Sequence, residues 1–321
     1  MKNRVYGVLG IKAIRSNWNA DFTGRPRTSA SGEIISSDKA VKYAYRKYWS
    51  NDEQKVFYFR SLNENLNPRS LKERYESLFT PLSEVKTSRE VLNNLFSCVD
   101  VMNFGATFAE SKLNCSITGA VQIQQGINIY KDSEIETMDI LSAFRNPSEK
   151  KDGSERAQTT IGEMVVADRV HYAFGFSVNP QNYNEFAFLD GFDGYTKEAY
   201  EAFKEASRVG VTALNSNTKA GCDNEFALFI ELKEGSKAYL PNLVDGIRYI
   251  PGENDDKNCY DLTNLSFLED IDTEIAAIEI YYDSYTTNVK MCLGALKNKT
   301  KEINMFTEKP INIIRLKTNK K

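Results

Sequence analysis

A single histidine, His171, occurs in the 321 residues, and that scarcity excludes any metal site built from two or more imidazoles. The five cysteines, at 98, 115, 222, 259 and 292, are an odd number lying at least 17 residues apart. That spacing removes a disulfide framework and a CxxC metal site, and suits thiols in a reducing compartment. No metal and no cofactor is expected. No apolar run approaches the roughly 18 residues that span a bilayer, and Lys2, Arg4, Lys12 and Arg15 interrupt the amino terminus where a secretory signal needs an unbroken apolar stretch. A cytoplasmic protein with no membrane partner is the expectation. The nucleophile elbow GxSxG, the phosphate loop GxxxxGK(S/T) and the dinucleotide fingerprint GxGxxG are all missing. With only 8 prolines and 18 glycines beside 41% hydrophobic and 26% charged residues, the chain is neither collagenous nor disordered, and it is long enough to bury a core without staples.

What is present is an uneven charge. The net charge of -3 conceals 12 Lys and Arg against 5 Asp and Glu in residues 1–60, 8 against 21 in residues 181–283, and 8 against 2 in residues 297–321. Basic ends around an acidic middle suit a polyanion on one face and a second copy or a basic partner on another, while charge that merely solvates a surface gives the same count.

Periodicity predicts a central strand at Val5–Arg15, apolar on both faces, and a helix at Asp38–Trp49 with Ser37 as N-cap. That helix buries Val41, Ala44, Tyr45 and Tyr48 and lines another side with Lys39, Lys42 and Arg46. A short strand is predicted at Gln54–Arg60 and a helix at Ser88–Val99. Two β-like runs at Ile117–Tyr130 and Ile161–Val178 enclose a polar, mostly non-periodic segment, Lys131–Thr160, which is too long for a hairpin turn and reads as a protruding arm. A helix at Thr196–Val209 and strands at Asn224–Leu232, Glu274–Tyr282 and Ile311–Leu316 follow. His171, inside the apolar VHYAFGF, reads as a core residue. With residues 51–114 treated as an insertion, the order strand, helix, strand, strand, helix, strand is that of an α+β, ferredoxin-like fold of the kind used by RNA-recognition modules. One elaborated domain over residues 1–321 is expected.

The most informative stretch is RSNWNADFTGRPRTSASGEIISSDKAVKYAYRKYW, residues 15–49. It gathers Ser16, Asn17 and Asn19, then Arg25 and Arg27 around Pro26, then Lys39, Lys42 and Arg46. Asn and Ser offer short hydrogen-bond partners for ribose and phosphate oxygens, Arg a fork of donors and Lys a mobile charge. On residue types alone two readings stand: a sugar-phosphate site, and ordinary turn residues beside a solvated helix face.

Through Ser16, Asn17, Asn19, Asp21, Pro26, Arg27, Ser37, Asp38, Lys42, Arg46 and Tyr48 this stretch resembles the signature of the Cas-seven-type backbone subunit of the CRISPR surveillance complex Cascade, most closely its type I-B branch. It departs at Trp18, Ala20 and Phe22, where the family pattern has Pro, Gly and Pro. TIGEMVVADRVHYAFGFSVNP and ALNSNTKAG, residues 160–180 and 213–221, are similar to two further family blocks. The resemblance implies an RNA-recognition-like (RRM-like) core with inserted finger and thumb regions, residues 51–114 and 131–160. It implies copies that assemble helically along CRISPR RNA beside other Cascade subunits and present the guide to target DNA. It also implies guide contacts from the signature loop and Lys219. Met138, Ile140, Leu141 and Phe144 are then candidates to wedge between bases, or else to pack the arm on its own domain or on a neighbouring copy. Type I members are implied to be non-cleaving. Two rivals stay open: a type III-like endoribonuclease using Asp21 or Asp38, and a structural protein that self-assembles without nucleic acid.

Overall fold

Twelve residues from Val5 to Ser16 form the strand around which the main sheet is built, β1. The computed structural model describes residues 1–110, 113–141, 160–253 and 256–311. After β1 come β2 (Ile35–Ser36), α1 (Asp38–Asn51), α2 (Leu71–Leu78), α3 (Ser88–Phe96) and α4 (Val99–Phe104). Next are β3 (Gly105–Glu110), β4 (Leu113–Thr118), β5 (Val121–Ile123), β6 (Gly126–Asn128), β7 (Ile135–Leu141) and β8 (Thr160–Val178). The remainder is α5 (Lys197–Val209), β9 (Cys222–Leu232), β10 (Arg248–Ile250), β11 (Asn258–Asp261), β12 (Ile275–Tyr282), β13 (Thr287–Lys290) and β14 (Thr300–Asn304). The main sheet runs β14-β12-β9-β1-β8-β6-β2, with β5 and β7 also paired to β8. Strand β1 is antiparallel to both neighbours, β8 and β9.

The apolar character of β1 on both faces has the expected cause, because each face is covered. Val5, Leu9, Ile11 and Ala13 pack with Val41 and Tyr45 of α1, Leu95 of α3 and Phe203 of α5 in one core. Val8 faces a second core closed by Leu243, Tyr249, Tyr260 and Leu268. His171 lies in that second layer, 1% exposed. Its Nδ1 lies 2.7 Å from Glu225 Oε2, which also accepts from the Tyr260 hydroxyl at 2.8 Å, and its ring stacks on Tyr249. Simple alternation along β9 would turn Glu225 toward the helices. The register of β9 against β1 shifts between Gly10 and Ile11, however, and the resulting bulge carries Glu225 to the His171 side. A Cβ on Gly10 would stand 2.9 Å from the Tyr260 hydroxyl, so glycine there admits the ring.

Several expectations are corrected. Gln54–Arg60 is not a strand, because the N–H groups of Phe57 and Tyr58 donate to the Asp100 carboxylate at 2.7 and 2.9 Å and not to a neighbouring strand. The helix expected at Ser88–Val99 stops at Phe96 and a separate turn of helix begins at Val99. The run Ile117–Tyr130 divides among β4, β5 and β6. Within Lys131–Thr160, the residues Ile135–Leu141 are not irregular but pair with β8, from Ile135 opposite Ala167 to Leu141 opposite Thr160. Phe144, and the Ile311–Leu316 strand beyond its first residue, fall outside the described residues.

The largest correction concerns the α1 face of Lys39, Lys42 and Arg46, offered to RNA as a free cationic side. Arg46 donates from Nε to Asp100 Oδ2 at 3.0 Å, with the Asp100 side chain wholly buried. Lys42 pairs with Asp38 at 2.8 Å, its side chain only 15% exposed. Both cations also lie over the Phe104 ring. Asp100 thus joins α1 to the 57–58 backbone through three hydrogen bonds. Replacing Asp100 with Ala strands those two N–H groups and the guanidinium, and should lower unfolding free energy by about 3 kcal/mol. Urea denaturation of the variant measures this, and a loss below about 1 kcal/mol would show that the joint carries little.

Candidate nucleic-acid interface

The end of β1 is where three distant parts of the chain meet. Ser16 pairs opposite Ala167 of β8, while Ala13 pairs opposite Cys222 at the start of β9. Asn17, only 4% exposed, sits in the junction. Its Nδ2 donates to Gly24 O at 2.9 Å and Val165 O at 3.1 Å, its backbone N–H donates to Thr218 O at 3.1 Å, and its carbonyl accepts from Lys219 Nζ at 2.6 Å. One side chain and its peptide therefore tie the 20–26 loop, β8 and the 216–221 loop together. Asn224 fixes the chain that leads into the last of these: its Oδ1 accepts from the N–H groups of Val211 and Thr212 just beyond α5, and its Nδ2 donates to Ser207 O.

The loop itself is a small hairpin closed by a bridge between Ala20 and Pro26. Asp21 Oδ1 accepts from Thr23 N, Thr23 Oγ1 and Arg25 N at 2.8, 2.7 and 3.1 Å. The hydrogen bond from the Thr23 side chain leads the causes that hold the Asp21 carboxyl below the usual carboxylate range. Asn19 Oδ1 accepts from Ser37 N at 2.8 Å, which fastens the loop to the start of α1. Ser37 is the N-cap residue of α1, as expected, although its side chain makes no capping hydrogen bond.

Of the sequence candidates, the fold brings Ser16, Asn17, Asn19, Arg25, Arg27 and Lys219 together here, with Lys39 in the first turn of the helix that Asn19 anchors. Arg25 and Lys39 are exposed, whereas Ser16 is buried, its hydroxyl 3.2 Å from Cys222 Sγ. Lys42 and Arg46 are engaged elsewhere. Burial lowers the pKa of Lys219, whose amine lies over the Trp18 ring, so this is a cation held at a desolvation cost that an incoming anion would offset. Asn17 Oδ1, Trp18 Nε1 and Arg27 Nε are buried without hydrogen-bond partners. Buried polar atoms are rarely left so, and these three, all within residues 17–27, are among eight such side-chain atoms in the described residues.

On the arm, Met138 and Ile140 occupy β7 opposite Met164 and Gly162, with Leu141 beyond a register shift. Ile140 and Leu141 are 42% and 60% exposed. Arg15, at the end of β1, reaches Glu136 of β7 at 3.9 Å, so the arm's base adjoins the junction. Among the described residues no helix is long and apolar enough to cross a membrane.

A family model described as CRISPR-associated protein Cas7 matches residues 3–267. The chain belongs to the Cas7 family. A chain in a solved CRISPR RNA-guided surveillance complex, pre-nicking, is similar to this Cas7-family chain at 12% identity over 94% of this chain and 96% of that one, with a TM-score of 0.51, a likeness of fold. A chain of another CRISPR RNA-guided surveillance complex is 17% identical over 92% and 94% of the two, with a TM-score of 0.46. No curated protein matches.

Sequence reasoning missed the partners that organise this Cas7-family site. Trp18, a departure from the family pattern, is 1% exposed and supports Lys219. Asp100 was legible in one respect, as the sole acid in the apolar run CVDVMNF. Gly221 has φ +93°, and a Cβ there would lie 2.3 Å from Ile14 O, whose own N–H donates to Gly221 O at 2.9 Å. Gly221→Ala should therefore push the Lys219 loop off β1 and cost at least about 1 kcal/mol. Thermal unfolding reads the loss, and hydrogen exchange should localise it to Ile14 and Asn17; unchanged protection of both amides would refute the account.

Proposed function

We propose that this Cas7-family chain is a CRISPR RNA-binding backbone subunit of a type I surveillance complex, of the I-B branch, that lines the guide and performs no chemistry. The observation carrying the proposal is the Asn17 junction, which gathers Arg25, Arg27, Lys39 and Lys219 around a loop with unpaired buried polar atoms. The similar fold occurs in an RNA-guided surveillance complex, in keeping with this reading. Target DNA is then met through the guide, and the remaining partners are other copies and other Cascade subunits in the cytoplasm.

The antiparallel order β9-β1-β8-β6, with α1 and α5 packed on one face, supports an RRM-like core. Such modules stack bases on their open sheet face, but here that face is covered by Leu243, Tyr249, Tyr260 and Leu268. The guide is therefore assigned to the loops at the strand ends. Residues 51–114 serve as the finger region and the β7–β8 hairpin as the base of the thumb, with Ile140 and Leu141 as its exposed apolar surface. A non-cleaving role is favoured over the endoribonuclease because the Asp21 carboxylate already accepts three hydrogen bonds within its own turn.

Salt titration tests the phosphate contacts. For single strands each phosphate neutralised contributes about 0.7 to the log-log slope, so Arg25→Gln with Lys219→Gln should flatten it by about 1.4. Mass photometry on guides of increasing length should show steps of one 36.4 kDa subunit. A wild type that binds no guide overturns the proposal, and guide-dependent RNA cleavage abolished by Asp21→Ala would favour the endoribonuclease.

A further inference from the structure

Phe22 stands at the apex of the Ala20–Pro26 hairpin with its surface entirely free, at 105% relative exposure. It differs in kind from the other exposed apolar side chains because of what holds it. Asp21 closes the turn with three hydrogen bonds, Gly24 has the positive φ of +82° that such a turn requires, and the Gly24 carbonyl is tied by Asn17 into the sheet. The loop is thus pre-set without any packing by the ring. An aromatic side chain held out on a rigid turn loses little freedom when a partner arrives. It has a flat π-face that every base can stack on whatever its identity.

We propose that Phe22 is a base-stacking platform for single-stranded RNA, an inference that rests on the RNA-binding reading above and adds to it a contact with the base. The occupant follows from the surroundings. Arg25 is exposed in the same turn, Arg27 follows it, and Lys219 is tethered to the residue that anchors the loop. Phosphates drawn to these cations bring bases to the ring. An apolar protein partner would gain nothing from cations so placed, and Asp21, whose hydrogen bonds keep its carboxylate ionised, is a single acid against these three cations.

The ring touches nothing in the fold, so its substitution tests binding without disturbing structure. With a fluorescein-labelled single-stranded RNA, Phe22→Ala should weaken binding roughly 5- to 100-fold. The salt slope should stay unchanged, since no phosphate contact is lost. Phe22→Leu should behave as Ala does, and Phe22→Trp should retain affinity while its indole fluorescence is quenched by RNA. On an oligomer of the same length with abasic sugars, wild type and Phe22→Ala should bind alike. If Phe22→Ala matches wild type on ordinary RNA while Arg25→Gln weakens binding, the platform is refuted and the RNA-binding reading stands. If the wild type binds no RNA, both fall. A Phe22→Ala variant that loses RNA-free self-association and keeps RNA affinity would assign the ring to a second copy and overturn the proposal.

Discussion

Everything at the candidate site depends on β1 being paired along both edges, to β8 on one side and to β9 on the other. Antiparallel pairing aligns the last residues of β1 with Ala167 and Cys222, so residues some 150 and 200 positions apart become neighbours without any side chain having to reach. Asn17 is then the first residue past the ladder, and it satisfies the backbone groups that the strand ends leave over. A buried amide suits the role because its two N–H groups can serve two carbonyls at once.

The charge count of the sequence overstates what the surface offers. In the basic amino-terminal region, Arg46 serves the buried Asp100 and Lys42 serves Asp38. The acidic middle is likewise partly consumed: Glu279 takes Lys204 at 2.7 Å, Glu225 takes His171 and Tyr260, and Asp261 turns back on Thr263. Arg25, Arg27, Lys39 and Lys219 lie near the end of β1, and their position carries more functional information than the net charge.

Covering both faces of a sheet has a further consequence. Strand faces that could stack bases are instead filled by Tyr249, Tyr260 and the His171–Glu225 pair, in which Glu225 serves both His171 and Tyr260. Recognition is displaced to loops, where glycine and asparagine set the backbone and exposed side chains do the contacting. Gly221 and Gly24 belong to that division, one for close approach to β1 and one for the turn.

The amino-acid sequence by itself determined the elements whose burial is periodic. Strand β1 with two apolar faces, the stripes of α1, α3 and α5, the buried His171 and the signature loop were all legible, because alternation of two and of 3.6 residues is written locally. Only the tertiary structure decided which cations are free, since Arg46 meets Asp100 across 54 residues and nothing in either local pattern records the pairing. The same holds for the Glu225 bulge, a slip against β1, and for β7, whose mixed sequence becomes a strand because β8 offers it an edge. It holds most of all for Phe22. Local sequence counts an aromatic residue toward a core, and only the completed hairpin, closed by Asp21 and tethered by Asn17, turns this one outward to solvent.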